Sequence, residues 1–381
     1  MNSALPRHRL QEPKANHDDS AAAQPAAADK RGSMQNADPA PLLQLQQLTK
    51  RYRAEDAAAV QDVSFDLHEG EILALLGPSG CGKTTTLRMI AGFETPDAGD
   101  VLIHGRSVLE LAPRDRHIGV VFQDYALFPH LNLLRNVMFG MQQVPRAQRA
   151  ERAREWLQLV GLATFAERMP DELSGGQQQR AALARTLAAE PRLVLLDEPF
   201  SNLDAALRES TRIEVRQLLK KAGTTAILVT HDQAEALSFA DRVGVMQAGR
   251  LCQTGTPETV YHVPETAFVA EFLGHTNLLP CLAQGRQAQS PLGEINLSTE
   301  AQGEVMVSLR PEHLSLEASP ASDANCEVIS REFRGHDNFY RVQTAGTTPA
   351  EYKVLAPYDC VLPAGAPARL TPRQPGVILR G

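Results

Sequence analysis

Eight consecutive residues, G-P-S-G-C-G-K-T at positions 77–84, constrain this 381-residue chain more than any other stretch. They follow a short apolar run, EILALL at 71–76, and precede a helix-like segment at 85–91. Strand, glycine loop and helix in that order turn the pattern G-x-x-x-x-G-K-[ST] into a phosphate cradle. Gly77, Gly80 and Gly82 let backbone N–H groups turn inward, with no Cβ to block a polyphosphate. The helix that follows adds its first N–H groups and the positive end of its dipole. Lys83 supplies a mobile cation for the β- and γ-phosphates, and the Thr84 hydroxyl suits Mg²⁺. With Pro78, Ser79, Cys81 and Thr85, these residues form the expected nucleotide-binding loop.

The length suggests two or three domains at about 150 residues each. A formal net charge of −7 argues against nucleic acid as the main partner. No apolar run approaches the ~20 residues that span a bilayer, and no secretory leader is apparent. Five cysteines (Cys81, Cys252, Cys281, Cys326, Cys360) are odd in number and lack metal-ligand spacing, so they read as free thiols in a reducing compartment. The expected location is cytosolic, with any membrane role exercised through a partner. Residues 1–41 are rich in Ala, Pro, Asp and Gln, too poor in large apolar groups to offset the entropy of ordering. That tail is expected to be disordered, and Met34 inside it is a candidate start.

From residue 42 the pattern turns strand-like: LLQLQQL and then VSFDL at 63–67 alternate apolar and polar. VLIHG at 101–105 is a further strand, and IGVVFQ at 118–123 is expected to be a buried one. The stretch 124–172 is helical in character, with a helix expected over 149–160 capped by Gly161. LSGGQQQR at 173–180 opens a helix expected to reach residue 189, before Pro191. LVLLD at 193–197 and TAILVT at 225–230 are apolar, β-rich runs flanking a helix at 207–221. Alternation of this kind argues a parallel sheet wrapped by helices, with ligands at the carboxyl ends of the strands. Gln123, Asp197 and His231 fall at or just beyond those ends. After residue 273 only short β-like runs separated by Gly, Pro and Ser remain, which predicts an all-β accessory domain of one or two small barrels.

LLDEP at 195–199 delivers two carboxylates to the sheet edge. Asp197 can hold a metal through water, and Glu198 can take a proton from an attacking water. Ser174, Gly175 and Gly176 make a second anion-binding helix start. The order glycine loop, Gln123, LSGGQ, LLDEP, His231 resembles the ATP-binding cassette (ABC) family over residues 42–273. The resemblance implies an α/β fold, a P-loop NTPase with a RecA-like core, an antiparallel β subdomain and a helical subdomain at about 124–172. It implies ATP and Mg²⁺ as ligands and a head-to-tail dimer with a second copy. In that dimer each ATP lies between the 77–84 loop of one subunit and Ser174, Gly175, Gly176 and Gln177 of the other. It further implies that Tyr52 stacks on adenine and that Gln123 joins Thr84 and Asp197 near the metal and the attacking water. Asp204, within SNLD, is expected at the dimer crossing, and His231 at the γ-phosphate as the switch histidine beside the catalytic Glu198.

Residues 125–131, YALFPHL, are expected to dock a separate integral membrane permease. One cassette with no fused membrane segment excludes exporters of the fused kind. The 274–381 region, with RPEHLSL at 310–316, resembles the OB-like (TOBE) regulatory domain of bacterial importer ATPases, which implies solute import at the cytoplasmic face of the inner membrane. A periplasmic or extracellular solute-binding protein then acts indirectly. Arg310 and Glu312 alternatively form only a structural ion pair. The wording DEPFSNLDA and FLGHTNLLP resembles ferric-iron importers most, with polyamine, phosphonate, sulfate or sugar importers as alternatives. A soluble cassette ATPase acting on nucleic acid or ribosomes is the alternative of another class.

Overall fold

A computed structural model of the chain describes residues 40–380 except 54, 56 and 346–348. The expected tail and Met34 lie outside the described residues, apart from Ala40 and Pro41. Strand β1 (Leu43–Lys50) pairs antiparallel with β2 (Val60–Leu67). Its alternation is not continuous. Leu45 and Leu48 are both buried although three residues apart, because Gln47 takes φ 50° in a register shift that resets the inward face. β3 (Ile72–Leu76) leads through the glycine loop into α1 (Lys83–Ala91), which begins two residues earlier than its apolar pattern suggested. β4 (Ala98–Ile103) and the short β5 (Arg106–Ser107) complete the first sheet, in the order β2-β1-β4-β5.

β6 (Ile118–Val121) stops two residues before Gln123 and is only partly buried, correcting the buried strand expected over 118–123. It is an edge strand, so one flank lacks a neighbour. Helices α2 (Leu133–Gly140) and α3 (Arg146–Leu159) follow. The latter starts three residues before the expected helix, directly after Pro145, whose missing N–H costs nothing at a helix start. α4 (Gly175–Leu187) ends two residues short of the expected stop. β7 (Leu193–Asp197), α5 (Ala205–Lys221), β8 (Thr225–Thr230), α6 (Gln233–Phe239), β9 (Arg242–Gln247) and β10 (Arg250–Gly255) complete a six-stranded sheet, ordered β10-β9-β3-β8-β7-β6. All its pairings are parallel except β9 with β10.

The central strands read as unbroken apolar runs because both their faces are covered. Ile72, Ala74, Leu76, Val194, Leu196, Ala226 and Leu228 enter one core with α2–α6. Leu73, Leu75, Leu193, Leu195, Ile227 and Val229 enter the other with α1 and the first sheet. Arg116 ties α1 to the approach to β6: buried at 5% exposure, it donates to Met89 O (2.8 Å) and Ile90 O (2.9 Å) at the end of α1 and to Leu111 O (3.2 Å).

After α7 (Pro257–His262) and α8 (Ala267–Phe272) the described residues form no further α-helix. β11 (Asn277–Ser290), β12 (Gly293–Leu309), β13 (Leu314–Ala318), β14 (Cys326–Phe333), β15 (Asp337–Thr344), β16 (Glu351–Pro357), β17 (Pro367–Pro372) and β18 (Val377–Leu379) make two sheets. Their orders are β11-β12-β18 and β13-β17-β14-β15-β16. Leu279, Val307 and Leu309 from one and Tyr340, Tyr352 and Leu370 from the other share a single core. The expected all-β accessory domain is thus a single unit of two sheets around one core.

Arg310 is not paired with Glu312. At 2% exposure it donates to Ala270 O (2.7 Å), His275 O (3.2 Å) and Tyr261 O (2.9 Å), with its guanidinium 4.2 Å from the Tyr261 ring. The Tyr261 hydroxyl in turn donates to Glu312 (2.8 Å), and burial first, then that carboxylate, pushes the phenol up to about 12. The guanidinium thus closes carbonyls of α7 and α8 that no helical N–H can reach. Arg310→Ala should remove on the order of 2–4 kcal/mol at this junction, since the buried carbonyls lose a charged donor. Limited proteolysis checks it: cleavage around residues 272–277 should appear at protease levels that leave the parent intact, and an unchanged digest would refute it.

Candidate functional site

Strand register builds the site. Leu76 lies opposite Thr230, Val229 opposite Asp197, and Leu196 opposite Val121. The carboxyl ends of β3, β8, β7 and β6 therefore form a row, and Gly77, His231, Glu198 and Phe122 emerge next along one edge.

At the β3 end the chain turns tightly. A Cβ on Gly77 would sit 2.3 Å from Met246 O, and one on Gly82, at φ +102°, 2.3 Å from Ala59 O. Gly82 caps α1, and no side chain bonds the first N–H groups of that helix. Pro78, Ser79 and Gly80 are exposed, whereas Cys81 is buried with its sulfur 3.8 Å from Lys83 Nζ, and burial pushes its thiol up. Lys83 itself is 5% exposed and donates to Gly77 O (2.7 Å) and Pro78 O (3.0 Å). An ammonium satisfied by loop carbonyls beside an uncapped helix start is a donor set that fits a polyphosphate.

The Thr84 hydroxyl donates to Asp197 Oδ1 at 3.3 Å, across from the end of β7. Burial pushes the Asp197 carboxyl up; the Thr84 hydrogen bond opposes this, and the neighbouring Glu198 charge adds to it. Among the described residues no three His, Cys, Asp or Glu side chains form a metal cluster. A hydroxyl and one carboxylate without a full cage fit Mg²⁺, which keeps waters and shares phosphate oxygens. Glu198 is held in the left-handed region (φ 45°), with its N–H on Val229 O (2.9 Å) and its carbonyl accepting from the Ser201 hydroxyl (2.9 Å). That turn aims its carboxylate at His231, with Oε2 3.3 Å from Nδ1. The imidazole is more than half exposed, and the carboxylate is about three-quarters covered (54% and 24% side-chain exposure).

Gln123 is exposed, and its backbone carbonyl accepts from Asn202 Nδ2 at 2.8 Å. Asp204 caps α5 by accepting from Leu207 N (2.9 Å). Tyr52 is 56% exposed, with its hydroxyl 3.4 Å from the Thr85 hydroxyl on α1 and Lys50 Nζ 5.8 Å from its ring. An exposed aromatic ring beside the helix start suits a stacked base. Ser174 caps α4, and Gln177 returns to the Ser174 N–H at 2.9 Å. A Cβ on Gly175 would meet Leu203 at 3.0 Å, and one on Gly176 would meet Thr211 at the same distance. Hydrogen bonds of Ser174 and Gln177 stay within their own helix turn; among the described residues none joins them to the 77–85 loop.

Tyr125 is buried at 4% exposure, unlike the surface residue a docking stretch implies. Around it, however, Phe93 (52%), Phe122 (39%) and Phe139 (51%) are exposed, with Phe93 against Phe122 and Phe128 against Phe139. Sequence reading missed Asn202, Arg208, Thr230 and Glu235. Asn202 stood within SNLD; the other three carry no signal until the fold places them behind His231.

The ABC transporter family model matches residues 60–201, and the TOBE domain model matches residues 307–376. The chain is 44% identical over 313 residues to the Fe(3+) ions import ATP-binding protein FbpC 1 of Rhizobium meliloti (strain 1021), covering 78% of this chain and 89% of that protein. It is 43% identical over 320 residues to the putrescine transport ATP-binding protein PotG of Escherichia coli (strain K12), covering 80% and 84%. Among solved structures, the dimeric post-hydrolysis state of the ATP-binding cassette MJ0796 bound to ADP and Pi is 33% identical, with a TM-score of 0.51 over 56% of this chain and 98% of that one. The glycine loop, the row of strand ends and the extent of these matches agree: the chain belongs to the ABC transporter ATPases that carry a C-terminal TOBE domain.

Proposed function

We propose that this chain is the ATP-hydrolysing subunit of an importer, driving a separate permease from the cytoplasmic face of the inner membrane. The observation that carries the reading is the strand-end row, where the Glu198–His231 pair stands beside the Lys83 and Thr84 loop. Lys83, Thr84 and the uncapped N–H groups of α1 hold the phosphates, Tyr52 the base, and Glu198 takes the proton of the attacking water while His231 orients the γ-phosphate. Thr84, Asp197 and Gln123 would hold Mg²⁺, which supplies charge neutralisation on the phosphates. Gly77, Pro78, Ser79, Gly80, Cys81, Gly82 and Thr85 complete that cradle. Ser174, Gly175, Gly176 and Gln177 serve the nucleotide of a second copy in a head-to-tail dimer, with Asp204 at the crossing. Closure around ATP moves the permease, and hydrolysis reopens the dimer.

No described helix is long and apolar enough to cross a membrane, which leaves the translocation path to the permease in this reading. The exposed Phe93, Phe122 and Phe139 around residues 125–131 offer it an apolar seat. Ferric iron is the proposed solute, because the relative matched over 89% of its length is named for Fe(3+) import; the putrescine protein keeps polyamines as the second reading. A solute-binding protein outside the membrane would deliver either.

Glu198→Gln should still bind ATP, accumulate as a nucleotide-bound dimer and lose turnover by about two decades or more, each decade being ~1.4 kcal/mol of barrier. Phosphate release with size-exclusion chromatography reads both, and near-normal hydrolysis would remove Glu198 as the base. Uptake of labelled ferric iron and putrescine in cells carrying parent or Glu198→Gln identifies the solute. Loss of iron uptake alone is expected; loss of putrescine uptake alone would keep the motor and replace the cargo.

A further inference from the structure

Behind His231 lies a small polar cavity of about 110 Å³ that reaches from Glu198 and Ser201 to Arg208, Asp232 and Glu235. Glu235, on the first turn of α6, is only 3% exposed, and Thr230, the last residue of β8, only 1%. The Thr230 hydroxyl donates to Glu235 Oε2 at 2.5 Å and accepts from the Asp232 N–H at 3.0 Å. Asp232 Oδ1 accepts in return from the Glu235 N–H, also at 3.0 Å. The bonds form a closed ring through residues on either side of His231, which itself takes no part in it. Arg208 braces the ring from α5, 3.7 Å from Asp232 and donating to Leu203 O at 2.9 Å.

A hydroxyl has one proton and here uses it on Glu235, leaving a lone pair to accept from the Asp232 N–H. The strand end is thereby bound to the start of α6 within three residues, and the imidazole has little backbone freedom left. Among the charged groups facing Glu235, Asp232 is acidic and Arg208 cationic. Burial pushes the Glu235 carboxyl up. Its place in the ring asks only for an acceptor oxygen, which an amide also offers. Burying this polar pair at a strand end costs desolvation that an apolar pair would avoid, so the site asks for a return beyond packing.

We propose that Glu235 is a positioning residue: through the Thr230 hydroxyl it fixes the backbone around His231 and so holds the imidazole against Glu198. This rests on the reading of His231 and Glu198 as participants in hydrolysis. The ring touches neither the 77–85 loop nor Tyr52 among the described hydrogen bonds, so nucleotide affinity should not depend on it.

Steady-state hydrolysis by the purified full chain tests it. Thr230→Val, which removes the hydroxyl at almost constant volume, should lower kcat about tenfold or more with KM for ATP within about twofold of the parent. Thr230→Ser and Glu235→Gln, which keep the hydroxyl and the acceptor oxygen, should each retain most of the parent kcat, whereas Glu235→Leu should lose about as much as Thr230→Val. In a His231→Ala background, Thr230→Val should add no further loss, since the ring acts only through the imidazole. Equal losses from Thr230→Val in both backgrounds, or Glu235→Gln as impaired as Glu235→Leu, would overturn the positioning role and leave a packing one. Parent-like turnover of His231→Ala alone would overturn the catalytic reading of His231 and the ring's role with it. Should Glu235→Leu fail to fold, the Thr230→Val and Glu235→Gln pair still decides the matter.

Discussion

Burial of the central parallel strands on both faces is the constraint on which the rest of the structure depends. Alternate residues of β3, β7 and β8 enter two separate cores, so none of these strands can slip by one residue without exchanging its two faces. Each buried Leu, Ile or Val in them is worth about 1.5–3 kcal/mol, and most of the row is near zero exposure. Register is therefore held by many independent packing contacts. Because register is held, the places where the strands stop are held too. Chemistry at the edge inherits its geometry from apolar residues that never touch a ligand.

Buried guanidinium groups do a second kind of work. Arg116 closes the end of α1, and Arg310 closes α7 and α8. Both use several donors on backbone carbonyls instead of pairing with a carboxylate. A helix end inside the protein leaves carbonyls that water cannot serve, and a planar five-donor group can satisfy several of them at once. The first of these sites steadies the helix that carries Lys83 and Thr84. The second steadies the junction between the helices and the β-sheets.

Much of this was legible in the sequence, for identifiable reasons. ILALL, LVLLD and TAILVT are apolar without alternation, which only a doubly covered strand requires, and the residue after each (Gly77, Glu198, His231) marks the sheet edge. The glycine loop was legible because its φ values and close approaches admit little else. Helix and strand ends were read two or three residues off, since the residues at those ends belong equally to the loops beside them. IGVVFQ looked buried because composition does not distinguish a central strand from an edge one; pairing does. The Arg310–Glu312 pairing failed for a related reason: opposite charges two residues apart suggest each other, but the carbonyls that Arg310 serves lie some 35–50 positions away. Glu235 was illegible alone. Its meaning depends on a hydroxyl five residues earlier, brought near only when β8 ends and α6 turns back.

The two uncapped or glycine-led helix starts in this chain invite one more step. α1 offers N–H groups at the row of strand ends, and α4 offers Ser174 and its glycines beside Leu203 and Thr211. No hydrogen bond joins the two among the described residues. A single nucleotide bound to α1 gives the α4 start nothing to do within one chain, although both carry the features that favour an anion. In the head-to-tail pair proposed above, each start would face a phosphate and two nucleotides would lie between the copies. Asn202 then gains a physical logic. Its bond to the Gln123 carbonyl connects the residues before α5 to the loop after β6, and Gly175 packs against Leu203 in the same segment. A second subunit pressing on that segment would act on the loop after β6 and on the α4 start together. In that proposed pair, closure and alignment of the strand-end edge would be one event mechanically.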